Sequence, residues 1–185
     1  MSNVPKSKRK PTKFEAWHHF FKLRAEVTAL MLNDFGFSYE KYMAQIEKYR
    51  NAYRQMANCE EIVARRKKKA DSFYRWFVDK ECDAVLELLR KIQTEFTIAN
   101  SIYPSDTPAR MLEYCERRKH MNEAIAACYA LKQEMQYVIS TLPVDINKYK
   151  HYSQLLEEQI SLYKGVRTAD NRFLKPKGGN KDKNK

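Results

Sequence analysis

The chain predicts an all-α fold: an up-down antiparallel bundle of four to five long helices with basic, disordered ends. Three features carry this expectation. Apolar residues recur at alternating spacings of three and four over several long stretches, the mark of one buried helical face. Glycine occurs only 4 times in 185 residues, too seldom for a fold built on many tight turns. No segment alternates apolar and polar residues, and no repeat of fixed period is present. The 43% hydrophobic content suffices for one core. The expected organisation is a flexible basic arm over residues 1–12, a bundle domain over 13–167 and a disordered basic tail over 168–185.

Thr12 is placed to cap a first helix from Lys13, with Glu15 as the reciprocal acid of a capping box. Phe20, Leu23, Val27, Leu30 and Met31 form its stripe, widened by Phe14, Trp17 and Phe21. Asn33-Asp34-Phe35-Gly36 ends it, Gly36 being suited to the left-handed conformation. Ser38 caps a second helix, with a seam of Tyr42, Ile46, Tyr49, Tyr53 and Met56. The pattern weakens after Asn58, so a break or an exposed stretch is expected across the basic run. A third helix over 71–101 carries Val78, Cys82, Val85, Leu89, Ile92, Phe96 and Ala99, preceded by Phe73, Trp76 and Phe77 and stopped at Tyr103-Pro104. Ser105-Asp106-Thr107-Pro108 starts a fourth, with Pro108 at the first helical position. Its seam is Met121, Ile125, Cys128, Met135, Val138 and Leu142. Asp145 caps the last helix, lined by Ile146, Tyr149, Tyr152, Leu156, Ile160 and Tyr163.

Charge is concentrated. Residues 1–13 hold five Lys/Arg and no acid, residues 164–185 hold eight against two acids, and residues 65–69 are all basic. Of the formal net charge of +12, these segments account for more than the whole, and the rest of the chain is mildly acidic. Localised positive fields of this kind attract polyanions, above all nucleic-acid phosphates. The candidate contacts are Lys8, Arg9, Lys10 and Lys13 at the start, Arg65, Arg66, Lys67, Lys68 and Lys69 in the middle, and the smaller cluster Arg117, Arg118 and Lys119. The bland reading of each is a solvated, solubilising face. Five like charges on little more than one helical turn repel one another, however, and a polyanion would relieve that. No helix-turn-helix spacing accompanies them, so binding is expected through phosphate and shape rather than base sequence.

Little in the sequence suggests catalysis, and a non-enzymatic protein without metal or cofactor is expected. There is no Gly-x-Gly-x-x-Gly or Walker-type loop. Glu15 and His18 have the spacing of a di-iron half-site, but no second Glu-x-x-His exists to complete it. Cys115 and His120, five apart on one helix, lie on different faces. Cys59, Cys82, Cys115 and Cys128 read as single buried thiols in a reducing compartment. Among the tyrosines, Tyr53, Tyr74 and Tyr129 are the best placed for base stacking; the others read as packing. No apolar run approaches the roughly 18 residues of a membrane span, so a cytoplasmic protein with no membrane contact is expected.

The terminal Asp170-Asn171-Arg172-Phe173-Leu174-Lys175, the opening Lys10-Pro11-Thr12-Lys13-Phe14-Glu15 and the basic helical-bundle pattern resemble the Avd-like accessory proteins of diversity-generating retroelements. The resemblance implies a homo-oligomeric four-helix bundle whose basic surface carries template RNA, in preference to DNA, to a reverse transcriptase. It adds Arg172 and Lys175 to Lys10 and Lys13 as expected contacts. The chain differs in length, in a basic insertion around 59–70 and in a possible fifth helix. The competing expectation is a protein–protein scaffold of a mobile element or phage with no direct nucleic-acid contact.

Overall fold

A computed structural model describes residues 12–105 and 108–174. Lys8, Arg9, Lys10 and Lys175, with the rest of residues 1–11 and 175–185, lie outside the described residues, as do Asp106 and Thr107. The described residues form α1 (Lys13–Leu32), α2 (Tyr39–Ala52), α3 (Cys59–Ser101), α4 (Arg110–Thr141) and α5 (Ile146–Ala169). Short 3₁₀ turns occupy Asp34–Gly36 and Asp170–Leu174. Among the described residues there is no strand, only an isolated bridge between Phe37 and Val144. None of these helices is long and apolar enough to cross a membrane.

The expected all-α bundle is what forms. Helices α1, α3, α4 and α5 follow one another around a common axis, each antiparallel to its neighbours. Phe20, Leu23 and Val27 of α1 meet Leu89, Ile92 and Phe96 of α3, Met121, Cys128 and Leu131 of α4, and Leu156, Ile160 and Tyr163 of α5 in one core. Each such side chain contributes about 1.5–3 kcal/mol when fully buried. Phe14 and Phe21, expected to widen the α1 stripe, instead face solvent, while Trp17 stacks on Phe96 with ring centroids 5.8 Å apart. Cys128 is buried, and burial pushes its thiol up to about 12. Cys115 is exposed, contrary to the expectation of burial, because it falls on the outer side of α4.

The caps follow the sequence closely. Thr12 accepts a hydrogen bond from the Glu15 amide at 3.1 Å, and the Glu15 carboxylate accepts one from the Thr12 amide at 3.5 Å. Ser38 and Asp145 cap α2 and α5 as expected. After α1 the chain reverses through three consecutive left-handed residues: Asp34, Phe35 and Gly36, at φ 48°, 55° and 72°. Two of them carry side chains that disfavour this conformation. Burial of Phe35 and a 2.6 Å bond from the Tyr149 hydroxyl to its carbonyl hold the turn. A Cβ at Gly36 would find its nearest neighbour, Leu30 Cδ1, 3.8 Å away, so there is space for a methyl group. Gly36→Ala is therefore expected to lose only the backbone preference, about 1 kcal/mol, read as a lower urea midpoint with an unchanged slope.

Three boundaries differ from expectation. α3 starts at Cys59, not near residue 71, and runs for 43 residues through the basic stretch. Lys, Arg and Ala are strong helix formers, and Glu60 and Glu61 complement the dipole of its first turn. The break falls earlier, where α2 stops at Ala52 and turns occupy residues 53–58. α4 starts at Arg110, two residues beyond Pro108, without a side-chain cap. Instead Glu113 accepts from the Ser105 amide at 2.6 Å and its hydroxyl at 2.8 Å, which closes the α3–α4 connection. Finally, the ordered domain does not stop at residue 167. The chain stays helical to Ala169 and turns on to Leu174, because Asp170 and Phe173 are buried.

The length of α3 creates a projection from the bundle. At 1.5 Å per residue, α3 is about 65 Å long and α4 about 48 Å. The excess at the α3 N-terminus extends beyond the α4–α5 turn and pairs with antiparallel α2. A small separate core of Tyr42, Ile46 and Val63 holds this two-helix hairpin. Its root is tied to the bundle where the Ser38 amide donates to the Pro143 carbonyl and the Lys41 ammonium to the Val144 carbonyl, both at 2.9 Å.

Candidate nucleic-acid interface

Among the described residues, the cations picked out in the sequence separate into two groups at opposite ends of α3. Lys67 and Ala99 are 32 residues apart on one helix, about 48 Å. The first group is on the hairpin. The second lies where the start of α1, the end of α3, the start of α4 and the turn after α5 converge.

The second group is largely structural. Arg117 is fully buried and cannot reach a phosphate, which corrects its assignment as a contact. Its Nε donates to Asp170 at 2.6 Å, its other nitrogens to the carbonyls of Ala99 and Ile102 and to Asn100, and Phe173 packs against the guanidinium. The planar fork thereby satisfies carbonyls left open at the end of α3. Arg118 is half-buried and bonds the Tyr114 hydroxyl at 2.9 Å and Asn171 at 3.1 Å. Tyr114 also donates to Asn171, so Asn171 and the neighbouring Asp170 are both engaged in packing of the helix ends. Lys13 is half-buried, and burial with the nearby Arg117 cation lowers its pKa. Only Lys119 and Arg172 are exposed here, and the Arg172 guanidinium lies over the Phe173 ring at 4.9 Å.

The hairpin is different. Residues 39–72 hold nine Lys/Arg and five Asp/Glu. Lys41 pairs with Asp145, Arg50 with Glu47 and Glu60, and Arg65 with Glu61 at 2.9 Å. Arg66, Lys67, Lys68 and Lys69 make no ion pair among the described residues. Arg66 lies over the Tyr49 ring at 5.3 Å, and Lys68 and Lys69 face solvent. Lys67 is half-buried and faces a cleft of about 500 Å³ at the hairpin root, where it and Arg75 are outnumbered by Asp34, Asp71 and Asp79. Those acids make the cleft a poor seat for an anion. Tyr42, buried beside it, donates to Asp71 at 2.5 Å; burial and that bond push its hydroxyl far above the ordinary tyrosine range.

No protein family, characterised protein or solved structure matches the chain. The residues themselves therefore carry the functional argument.

The other sequence candidates resolve individually. Glu15 is engaged in the α1 cap and His18 lies edge-on to Phe14, with centroids 4.2 Å apart. Among the described residues no three His, Cys, Asp or Glu side chains gather as metal ligands. His120 turns to Glu95 at 2.7 Å, away from Cys115. Tyr53 packs on Tyr49, and Tyr74 packs between Phe37 and Tyr42 at the hairpin root. Tyr129 is 41% exposed but accepts from Lys164 at 2.7 Å. The reading of the sequence overlooked Phe73, Trp76 and Tyr137, which are 43%, 56% and 52% exposed beside the basic run. Their proximity to the α3 seam disguised two of them as core. Counting back from the buried Val85 in helical turns would have put Trp76 outside.

Proposed function

We propose that this protein is a non-enzymatic nucleic-acid-binding adaptor that grips phosphates with its projecting hairpin. One observation carries the reading: Arg66, Lys68 and Lys69 stand exposed on a two-helix projection, none of them in an ion pair with a carboxylate of the described residues. A helix that holds adjacent like charges sacrifices a few tenths of a kcal/mol per close pair, and a phosphate backbone reverses that deficit. Contacts of this type position a strand but read little sequence. RNA is the preferred partner in the proposal, and the adaptor role extends to delivery of that RNA to a reverse transcriptase.

Fluorescence polarisation with a structured RNA and a duplex DNA across a salt series tests the reading. Affinity should fall steeply as salt rises, with a log–log slope set by the number of phosphates engaged. Absence of salt-sensitive binding to both polymers ends the proposal.

A second reading, a protein–protein scaffold with no direct nucleic-acid contact, draws support from the outer face of α1. Phe14, Phe21 and Leu32 are 72%, 44% and 81% exposed on it, with Ala25 and Ala29 between them. A parent chain that binds neither polymer and self-associates through this face, seen as a lower sedimenting mass for Phe21→Lys, would favour this reading; salt-sensitive binding of either polymer would remove it.

A further inference from the structure

The exposed aromatics next to the basic run share one line on α3. Arg66, Lys69, Phe73, Trp76 and Lys80 are spaced 3-4-3-4, which places them within a narrow arc of the helix surface. All five are exposed. Arg66, Lys69 and Phe73 also line one open depression of about 290 Å³ with Thr141 at the end of α4. Phe73 and Trp76 lie with ring centroids 5.9 Å apart, and Phe73 stacks on Phe77, which in turn meets Tyr137 edge-on at 5.3 Å. The buried Phe77 thus forms a floor that fixes an aromatic surface open to solvent. The line extends about 21 Å. It ends at Lys80, which pairs with Asp83, and acidic residues follow.

We infer that this line, with Tyr137 of α4 beside it, is a binding track for single-stranded nucleic acid, bases stacking on Phe73, Trp76 and Tyr137 while Arg66 and Lys69 hold the adjoining phosphates. The inference deepens the proposed function by naming the form of the polymer, and rests on it. Cations alone would serve a duplex equally well. Rigid aromatic faces at the level of the phosphate grip add something only when bases are unpaired and free to lie flat on them. A second copy of the chain is a poorer occupant: a two-fold contact would bring the same unpaired Arg66 and Lys69 side chains against each other. A dry apolar partner surface would have to desolvate those cations as well.

The test compares labelled oligouridylate with an RNA duplex of equal charge at one salt concentration, using the full chain, Trp76→Ala, and Phe73→Ala with Trp76→Ala. Trp76 is more than half exposed, so its single variant retains the fold, which far-UV circular dichroism checks. Oligouridylate affinity is expected to fall about tenfold for each stacking face removed, with duplex affinity unchanged, and Trp76 fluorescence should be quenched by oligouridylate and not by duplex. Equal losses in both arms, or none in either, overturn the track while leaving the phosphate grip of the hairpin standing. No binding of either polymer by the parent chain ends both ideas together. A parent chain that sediments as a dimer, dissociated by Trp76→Ala with oligouridylate binding intact, reassigns the aromatics to a protein interface and also overturns the inference.

Discussion

Arg117→Ala is expected to cost about 3–5 kcal/mol of folding stability, the usual penalty for breaking a buried ion pair on one side. The substitution strands the Asp170 carboxylate in a site with little access to water, and it deprives the Ala99 and Ile102 carbonyls of a donor at the end of α3. Arg117→Lys should recover only part of the loss, since an ammonium cannot reach Asp170 and two carbonyls in the planar arrangement a guanidinium offers. Arg118→Ala, a half-buried neighbour, should cost less than about 1 kcal/mol. Urea unfolding followed by circular dichroism measures all three. A midpoint for Arg117→Ala within error of the parent would refute the structural role and make this arginine a candidate phosphate ligand again.

The second large effect is on binding. Converting Arg66, Lys68 and Lys69 together to Gln removes up to three cations from the phosphate grip, and the salt slope should drop by about 0.7–0.9 for each phosphate no longer engaged. Affinity at moderate salt should fall by at least tenfold. Stability should move the other way, rising by a few tenths of a kcal/mol for each close repulsion relieved. Opposite signs for the two measurements distinguish a binding surface from a merely solvated one. An unchanged slope would locate the polymer elsewhere, with Lys119 and Arg172 the next exposed cations to test.

Much of the fold was legible because its signals are local. Thr12, Ser38 and Asp145 each marked a helix start, and the seams from Val85 to Ala99 and from Met121 to Val138 are buried as their spacing required. What escaped depends on partners remote in sequence. The continuity of α3 through residues 65–69 could not be seen as a seam, because the apolar contacts there are few and belong to α2, with Val63 and Tyr74 meeting Tyr42. Arg117 looked like one of three neighbouring surface cations, and only the fold brings Asp170 to it from 53 residues away. The same holds for residues 168–174, where burial of Phe173 makes folded structure of a segment expected to be tail. For the candidate site, the charge was plain in the composition, while its division between a buried lock and an open projection was not.

The uninterrupted course of α3 has a mechanical consequence. A single rod passes from the hairpin tip to the opposite end of the bundle without a proline, a glycine or a change of helix type to act as a joint. Whatever load is attached at the tip is carried as bending of a stiff beam rather than taken up by a swivel, so its bearing relative to the far end stays fixed.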